Sequence, residues 1–106
     1  MPDAEREDSM YGTVVRMRAK PGSGDKLVAL SREYDDLGIR GFVATYVYRL
    51  DDNPDDYYMA VLFEDRESYR RNADDPAQDA RYRRLRELLE ADPKWHDGEV
   101  VWASSR

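Results

Sequence analysis

Apolar positions alternate with period two over residues 11–18, "YGTVVRMR", where Tyr11, Thr13, Val15 and Met17 oppose Gly12, Val14, Arg16 and Arg18. That spacing predicts a first strand. "KPGSGDK" breaks it and offers Ser23 or Asp25 as a helix cap. The period then changes to that of a helix: Leu27, Leu30, Tyr34 and Leu37 fall on one stripe, which Gly38 ends. Two β-branched and aromatic runs follow, "GFVATYVYRL" (41–50) and "DYYMAVLFE" (56–64), separated by the turn-forming "DDNPDD". They read as a hairpin. "DRESYRRNA" (65–73) suits a short helix. A longer one starts at Asp75 as N-cap and Pro76 as first residue, with Tyr82, Leu85, Leu88 and Leu89 as its buried stripe. "EVVWA" (99–103) reads as the closing strand, entered through a turn or bulge at Asp97-Gly98.

The order β-α-β-β-α-β, with its second helical unit in two pieces, predicts an α+β, ferredoxin-like protomer: an antiparallel four-stranded sheet with helices on one face. Residues 1–10 read as a disordered, acidic lead and 11–103 as the single domain. In the second strand, Phe42, Ala44, Tyr46, Tyr48 and Leu50 alternate with Val43, Thr45 and Val47. In the third, Tyr57, Met59, Val61 and Phe63 alternate with Tyr58, Ala60 and Leu62. Both sheet faces are therefore apolar, while helices cover one. A second copy laid sheet against sheet is the expected cover, giving a homodimer.

Composition narrows the function classes. The 106 residues carry 17 basic and 23 acidic side chains, a net charge of −6, which argues against a nucleic-acid or anionic-membrane partner. There is no cysteine, so disulfides, thiolate catalysis and thiolate metal sites are excluded. No apolar run approaches the roughly 20 residues of a membrane span, and the polar opening lacks the layout of a signal peptide. A cytoplasmic protein is expected. Arginine outnumbers lysine 14 to 3, in keeping with a GC-rich bacterial genome.

The opening "RMRAKPGSGDKL", the aromatic hairpin and "FEDRESYRRNADDPAQDARYRRL" together resemble the antibiotic biosynthesis monooxygenase (ABM) family over about residues 11–103. The resemblance implies a dimeric α/β barrel with a pocket between sheet and helices in each protomer. Some members of that family oxygenate polycyclic phenols or quinols with dioxygen and no cofactor; others degrade haem. In the cofactor-free reaction the ionised substrate itself donates an electron to oxygen, so the protein binds an aromatic, takes its proton and holds the anion. Two departures stand out. Asn72 occupies the short helix where relatives commonly carry a histidine, and Phe63-Glu64-Asp65 replaces a tryptophan often found at the end of the third strand. Without that histidine the natural ligand for haem iron is missing, and no cofactor or metal is expected. Asn72 can orient a carbonyl or an oxygen species but cannot act as a base.

The expected function is oxygenation of a small aromatic phenol or quinol, with a non-catalytic module binding a small hydrophobic ligand, or a stress-related accessory protein, as the alternative. The catalytic candidates are Asn72 and His96, the latter because only its side chain titrates near neutral pH without perturbation; it also reads as an exposed loop residue. Tyr46, Tyr48 and Tyr58 form a hydroxyl-bearing patch suited to a phenolic ligand, or ordinary cross-strand stabilisers. Tyr69, three residues before Asn72, shares its helix face. Trp95 and Trp102 are candidate aromatic walls or packing residues, Trp102 more in keeping with the core. Arg16 reads as a phenolate stabiliser or, better, as one half of an ion pair across the dimer with an acidic residue of the second copy. "DDNPDD" lacks the glycine and distal glutamate of a calcium loop. The arginines of "ARYRRLRE" read as a solvated face with pairs Asp79–Arg83, Arg83–Glu87 and Arg86–Glu90.

Overall fold

The computed structural model describes residues 9–105. Its elements are β1 (Tyr11–Arg18), α1 (Gly24–Asp36), β2 (Phe42–Arg49), β3 (Asp56–Phe63), α2 (Arg66–Ala73), α3 (Pro76–Glu87) and β4 (Lys94–Glu99). The strands form one antiparallel sheet in the order β2-β3-β1-β4. Ferredoxin-like α+β architecture is therefore confirmed. The expected lead falls mainly on residues 1–8, outside the described residues; Met10 is described, and its carbonyl accepts from the Val100 N–H at 2.8 Å.

Local chemistry sets the element ends. Asp65 caps α2 by accepting from the Ser68 N–H at 2.8 Å, and Asp75 caps α3 by accepting from Ala77 at 2.9 Å, with Pro76 at the first position. Ser23 stands at the N-cap of α1 without a side-chain capping bond. Gly38, at φ 63°, turns the chain away after α1. In the hairpin loop the Asn53 carboxamide accepts from Asp55 N–H and its carbonyl from Asp56 N–H, an Asx-type turn. Arg18 then grips Asp56 with two hydrogen bonds of 2.6 and 2.9 Å, joining β1 to the start of β3. Arg16 reaches the same carboxylate at 3.8 Å, an ion pair within the protomer.

The core lies between sheet and helices. Val15, Met17, Tyr57, Met59, Val61 and Phe63 on the sheet meet Leu27 of α1 and Leu89, just past α3. Each such large side chain contributes roughly 1.5–3 kcal/mol by leaving water. Phe42 also packs inward, against Phe63 and Tyr34, because a register shift between Phe42 and Ala44 adds one residue to β2. This bulge corrects the simple alternation, which put Phe42 beside Tyr46 and Tyr48.

Three other expectations change. The closing strand spans Lys94–Glu99 rather than 99–103, and Asp97 and Gly98 lie within it, paired with Thr13 and Gly12. Trp102 follows it and is 82% exposed, so it is no core residue of the protomer. Along α3, Arg84 pairs with Glu33 of α1 at 3.0 Å and Arg86 with Asp92 at 2.7 Å, in place of the expected pairs within the helix. Among the described residues no helix is long and apolar enough to cross a membrane.

Candidate functional site

Side chains that oppose one another in register share a sheet face. Thr13, Val15 and Met17 therefore line up with Asp97 and Trp95 on one side and with Val61, Met59 and Tyr57 on the other. Thr45 and Val47 continue the row on β2. This is the helix-covered face. The core fills one part of it; over the rest α1, α2 and α3 stand off and leave a cavity of about 470 Å³. That size is within the roughly 300–1,000 Å³ of small-molecule sites. Its floor is Thr13, Thr45, Met59, Val61, Phe63, Trp95 and Asp97, and its walls include Leu30 and Tyr34 of α1 with Leu37 just past it, Tyr69 and Asn72 of α2, and Arg81, Tyr82 and Leu85 of α3.

Two polar groups interrupt this apolar lining. At the first, the Asn72 carboxamide donates to the Tyr34 hydroxyl at 2.8 Å, and its oxygen accepts from Arg81 at 3.4 Å; Arg81 also donates to Gln78 at 2.9 Å. Tyr34 thus uses its oxygen as an acceptor and keeps its own proton free to donate. Burial raises its pKa, against smaller lowering effects of the Asn72 bond and the Arg81 charge, so it stays a neutral donor near pH 7. At the second, the Tyr69 hydroxyl donates to Asp97 at 2.8 Å. Burial, then the hydrogen bond and charge of Asp97, push the Tyr69 pKa well up, and it too is a donor and not a base. Tyr69 is wedged between Tyr11 and Phe63, at ring distances of 5.3 and 5.8 Å, and Trp95 stands 6.4 Å from Tyr82 across the cavity wall. The Glu33–Arg84 pair, more than half exposed, ties α1 to α3 at the rim.

Of the residues singled out in the sequence, Asn72, Tyr69 and Trp95 meet at this cavity. The others do not. His96 pairs with Val14, and Val14 with Ala60, which places its side chain on the opposite sheet face. Tyr46 opposes Ala60 and Tyr48 opposes Tyr58, so all three tyrosines lie on that outer face as well. Tyr46 and Tyr48 are 64% and 65% exposed there. The expectation that they and His96 line a pocket between sheet and helices is corrected by this parity. Arg16 is on the outer face too. Tyr34, Arg81, Tyr82 and Asp97 are cavity residues that sequence reasoning passed over. The signal for the helical ones was present: Tyr34 shares a stripe with Leu30 and Leu37, Tyr82 shares one with Leu85, and Arg81 stands beside Tyr82.

A ferredoxin-like sheet carrying three helices over an aromatic cavity defines an α+β class with a pocket between sheet and helices. Within that class, the family model for antibiotic biosynthesis monooxygenase matches residues 10–90, and the chain belongs to this family. Solved structures agree in fold. A Chloroflexus aurantiacus protein assigned as an antibiotic biosynthesis monooxygenase is 26% identical, with TM-score 0.74 over 92% of this chain and 98% of its own. SnoaB, a cofactor-independent oxygenase from Streptomyces nogalater solved as an asparagine-to-alanine variant, is 16% identical, with TM-score 0.77 over 90% and 96%. A conserved protein from Methanosarcina mazei is 17% identical, with TM-score 0.72 over 88% and 94%. No curated protein sequence gives a significant match.

Proposed function

We propose that the protein is a cofactor-independent monooxygenase that oxidises a small aromatic phenol or quinol in the cavity between sheet and helices. The observation that carries this reading is Asn72, fixed between Tyr34 and Arg81 on the wall of an apolar, aromatic cavity. Family membership and the likeness to a cofactor-independent oxygenase support it. In the keto form of such a phenol, as in an anthrone, the overall reaction converts a ring CH₂ and O₂ into a ring C=O and H₂O. The substrate loses a proton and its anion passes an electron to oxygen; radical and superoxide recombine, and the peroxide anion takes that proton back and eliminates water.

Each residue then has a task. Tyr82 and Trp95 hold the flat ring. The free proton of Tyr34, the second N–H of Asn72 and the Arg81 guanidinium face the oxygen that bears the developing charge. With Tyr34 and Tyr69 held protonated and His96 on the other face, the Asp97 carboxylate on the floor is the proton acceptor, acting together with the substrate's own ionisation. The reading includes a cytoplasmic homodimer built on the outer face, where Val14, Tyr46, Tyr48 and Tyr58 are exposed. Oxygen consumption by metal-free protein with a panel of anthrones and quinols tests it. Turnover above the buffer rate with at least one substrate is expected. Binding without turnover across the panel would replace the enzyme by a ligand-binding module.

A further inference from the structure

Arg81 is a half-buried guanidinium on the wall of an apolar cavity, and no carboxylate pairs with it among the described residues. The other charges of the lining are each engaged. Glu33 and Arg84 pair with each other at the rim, and Asp97 accepts from Tyr69. Arg81 instead spends one terminal nitrogen, Nη1, on two neutral oxygens, those of Gln78 and Asn72. Among the described residues its Nη2 and Nε groups have no protein acceptor, yet no side-chain polar atom there is both buried and unsatisfied. These N–H groups are therefore open to solvent, on a side chain that lines the cavity. A guanidinium cannot shed its charge, and its planar fork matches the two oxygens of a carboxylate or a pair of neighbouring ring oxygens. Beside it stands Tyr34, whose hydroxyl proton is also uncommitted.

We infer that the cavity selects aromatic ligands bearing an ionised oxygen, a carboxylate or a phenolate, which Arg81 and Tyr34 bind together. This deepens the functional reading above and rests on it for the aromatic class, but it concerns binding and not turnover. An uncharged arene leaves three N–H groups of Arg81 without a strong acceptor, so the discrimination comes from the charge and not from the fit of the ring. The apolar remainder of the cavity, from Leu30 to Trp95, takes the ring either way.

Calorimetric titration of the full chain with 2-naphthoate and its neutral counterpart 2-naphthamide tests the inference. A hydrogen-bonded charge predicts that the acid binds about 10- to 100-fold tighter. Arg81→Gln should abolish that preference while leaving naphthamide binding in place, and Arg83→Gln, which removes the same charge from an exposed position on α3, should retain it. A 2-naphthol titration at rising pH separates the two anion sources: affinity that climbs as the phenol ionises adds phenolate to the accepted class, and affinity that stays flat restricts the class to carboxylates. Equal binding of acid and amide, no binding of either, or an unchanged preference in Arg81→Gln would overturn the inference. Wild-type protein gives a second readout should that variant fail to fold. The Arg81 Nε–H resonance is expected to shift with naphthoate and to stay in place with naphthamide; an unshifted resonance overturns it. Anion selectivity without oxygen consumption would leave this inference standing and remove the oxygenase, whereas oxygen consumption without anion selectivity would do the reverse.

Discussion

The bond between Asn72 and Tyr34 ties α2 to α1 across the cavity, and its removal should be felt in both stability and chemistry. Asn72→Ala deletes a 2.8 Å hydrogen bond to the half-buried Tyr34 hydroxyl and a longer, weaker 3.4 Å contact from Arg81. Tyr34→Phe deletes the first alone. A neutral bond of good geometry contributes about 0.5–1.5 kcal/mol net, and the long contact adds little. Each variant should therefore lose roughly 1 kcal/mol, equivalent to about 4–8 °C in the midpoint of a domain this size. The double variant should lose less than the sum, with a coupling energy of about 0.5–1.5 kcal/mol. Urea unfolding followed by circular dichroism measures all four proteins, at one protomer concentration because self-association would add to the apparent stability. Additive losses would mean that the bond contributes nothing and that Asn72 is not held by Tyr34. Coupling with no effect of Asn72→Ala on turnover would make it a strut; the oxygenase reading expects loss of an oriented donor to slow turnover about 100- to 1,000-fold.

Three further perturbations read other parts of the account. Arg18 holds the Asp56 carboxyl below its ordinary value of 3.8, so its contribution is present above that value and is lost as pH falls through the depressed one. Asp56→Asn should lower the melting temperature at pH 7 and flatten its acid dependence; an unchanged acid limb would contradict the pairing. Asp97→Asn should bring the Tyr69 pKa part of the way down, since burial remains the larger cause; a carbon-13 titration of the tyrosine ring carbons measures it, and no shift would mean the bond is absent in solution. Tyr46→Glu with Tyr48→Glu places two carboxylates on the outer sheet face, where they are solvent-exposed in the protomer. Sedimentation should then give a monomer with native circular dichroism where the wild type gives a dimer, and a monomeric wild type would end that proposal.

Much of the architecture is legible in the sequence because it rests on periodicity. The change from period two to the helical period after "KPGSGDK", and the Asp75-Pro76 cap, placed six of the seven elements close to where they lie. β4 escaped because it is an edge strand whose six residues are all exposed; "KWHDGE" has no apolar alternation to mark it, whereas the more apolar "VVWA" (100–103) after it forms no strand. The misplaced tyrosines have a different cause. Alternation correctly put Tyr46 and Tyr48 on one face, but parity alone does not say which face the helices cover, and the bulge after Phe42 hides the clue that Phe42 would have given. Arg81 was lost inside a run of arginines that read as solvated. Only the docking of α3 over the sheet distinguishes it from Arg83. Asn72 was found through resemblance to relatives, and its partners Tyr34 and Arg81 come from two other helices, a meeting that local sequence does not encode.

On the proposed reading, the cavity activates an aromatic substrate toward dioxygen through this chain's own side chains. Oxygen uptake by metal-free wild-type protein and by Asn72→Ala, with an anthrone bearing an acidic hydroxyl, tests it most directly. The wild type is expected to take up one O₂ per quinone formed, and the variant to lose at least about 100-fold in rate. Uptake at the buffer rate in the wild type, or equal rates in the two proteins, would contradict it.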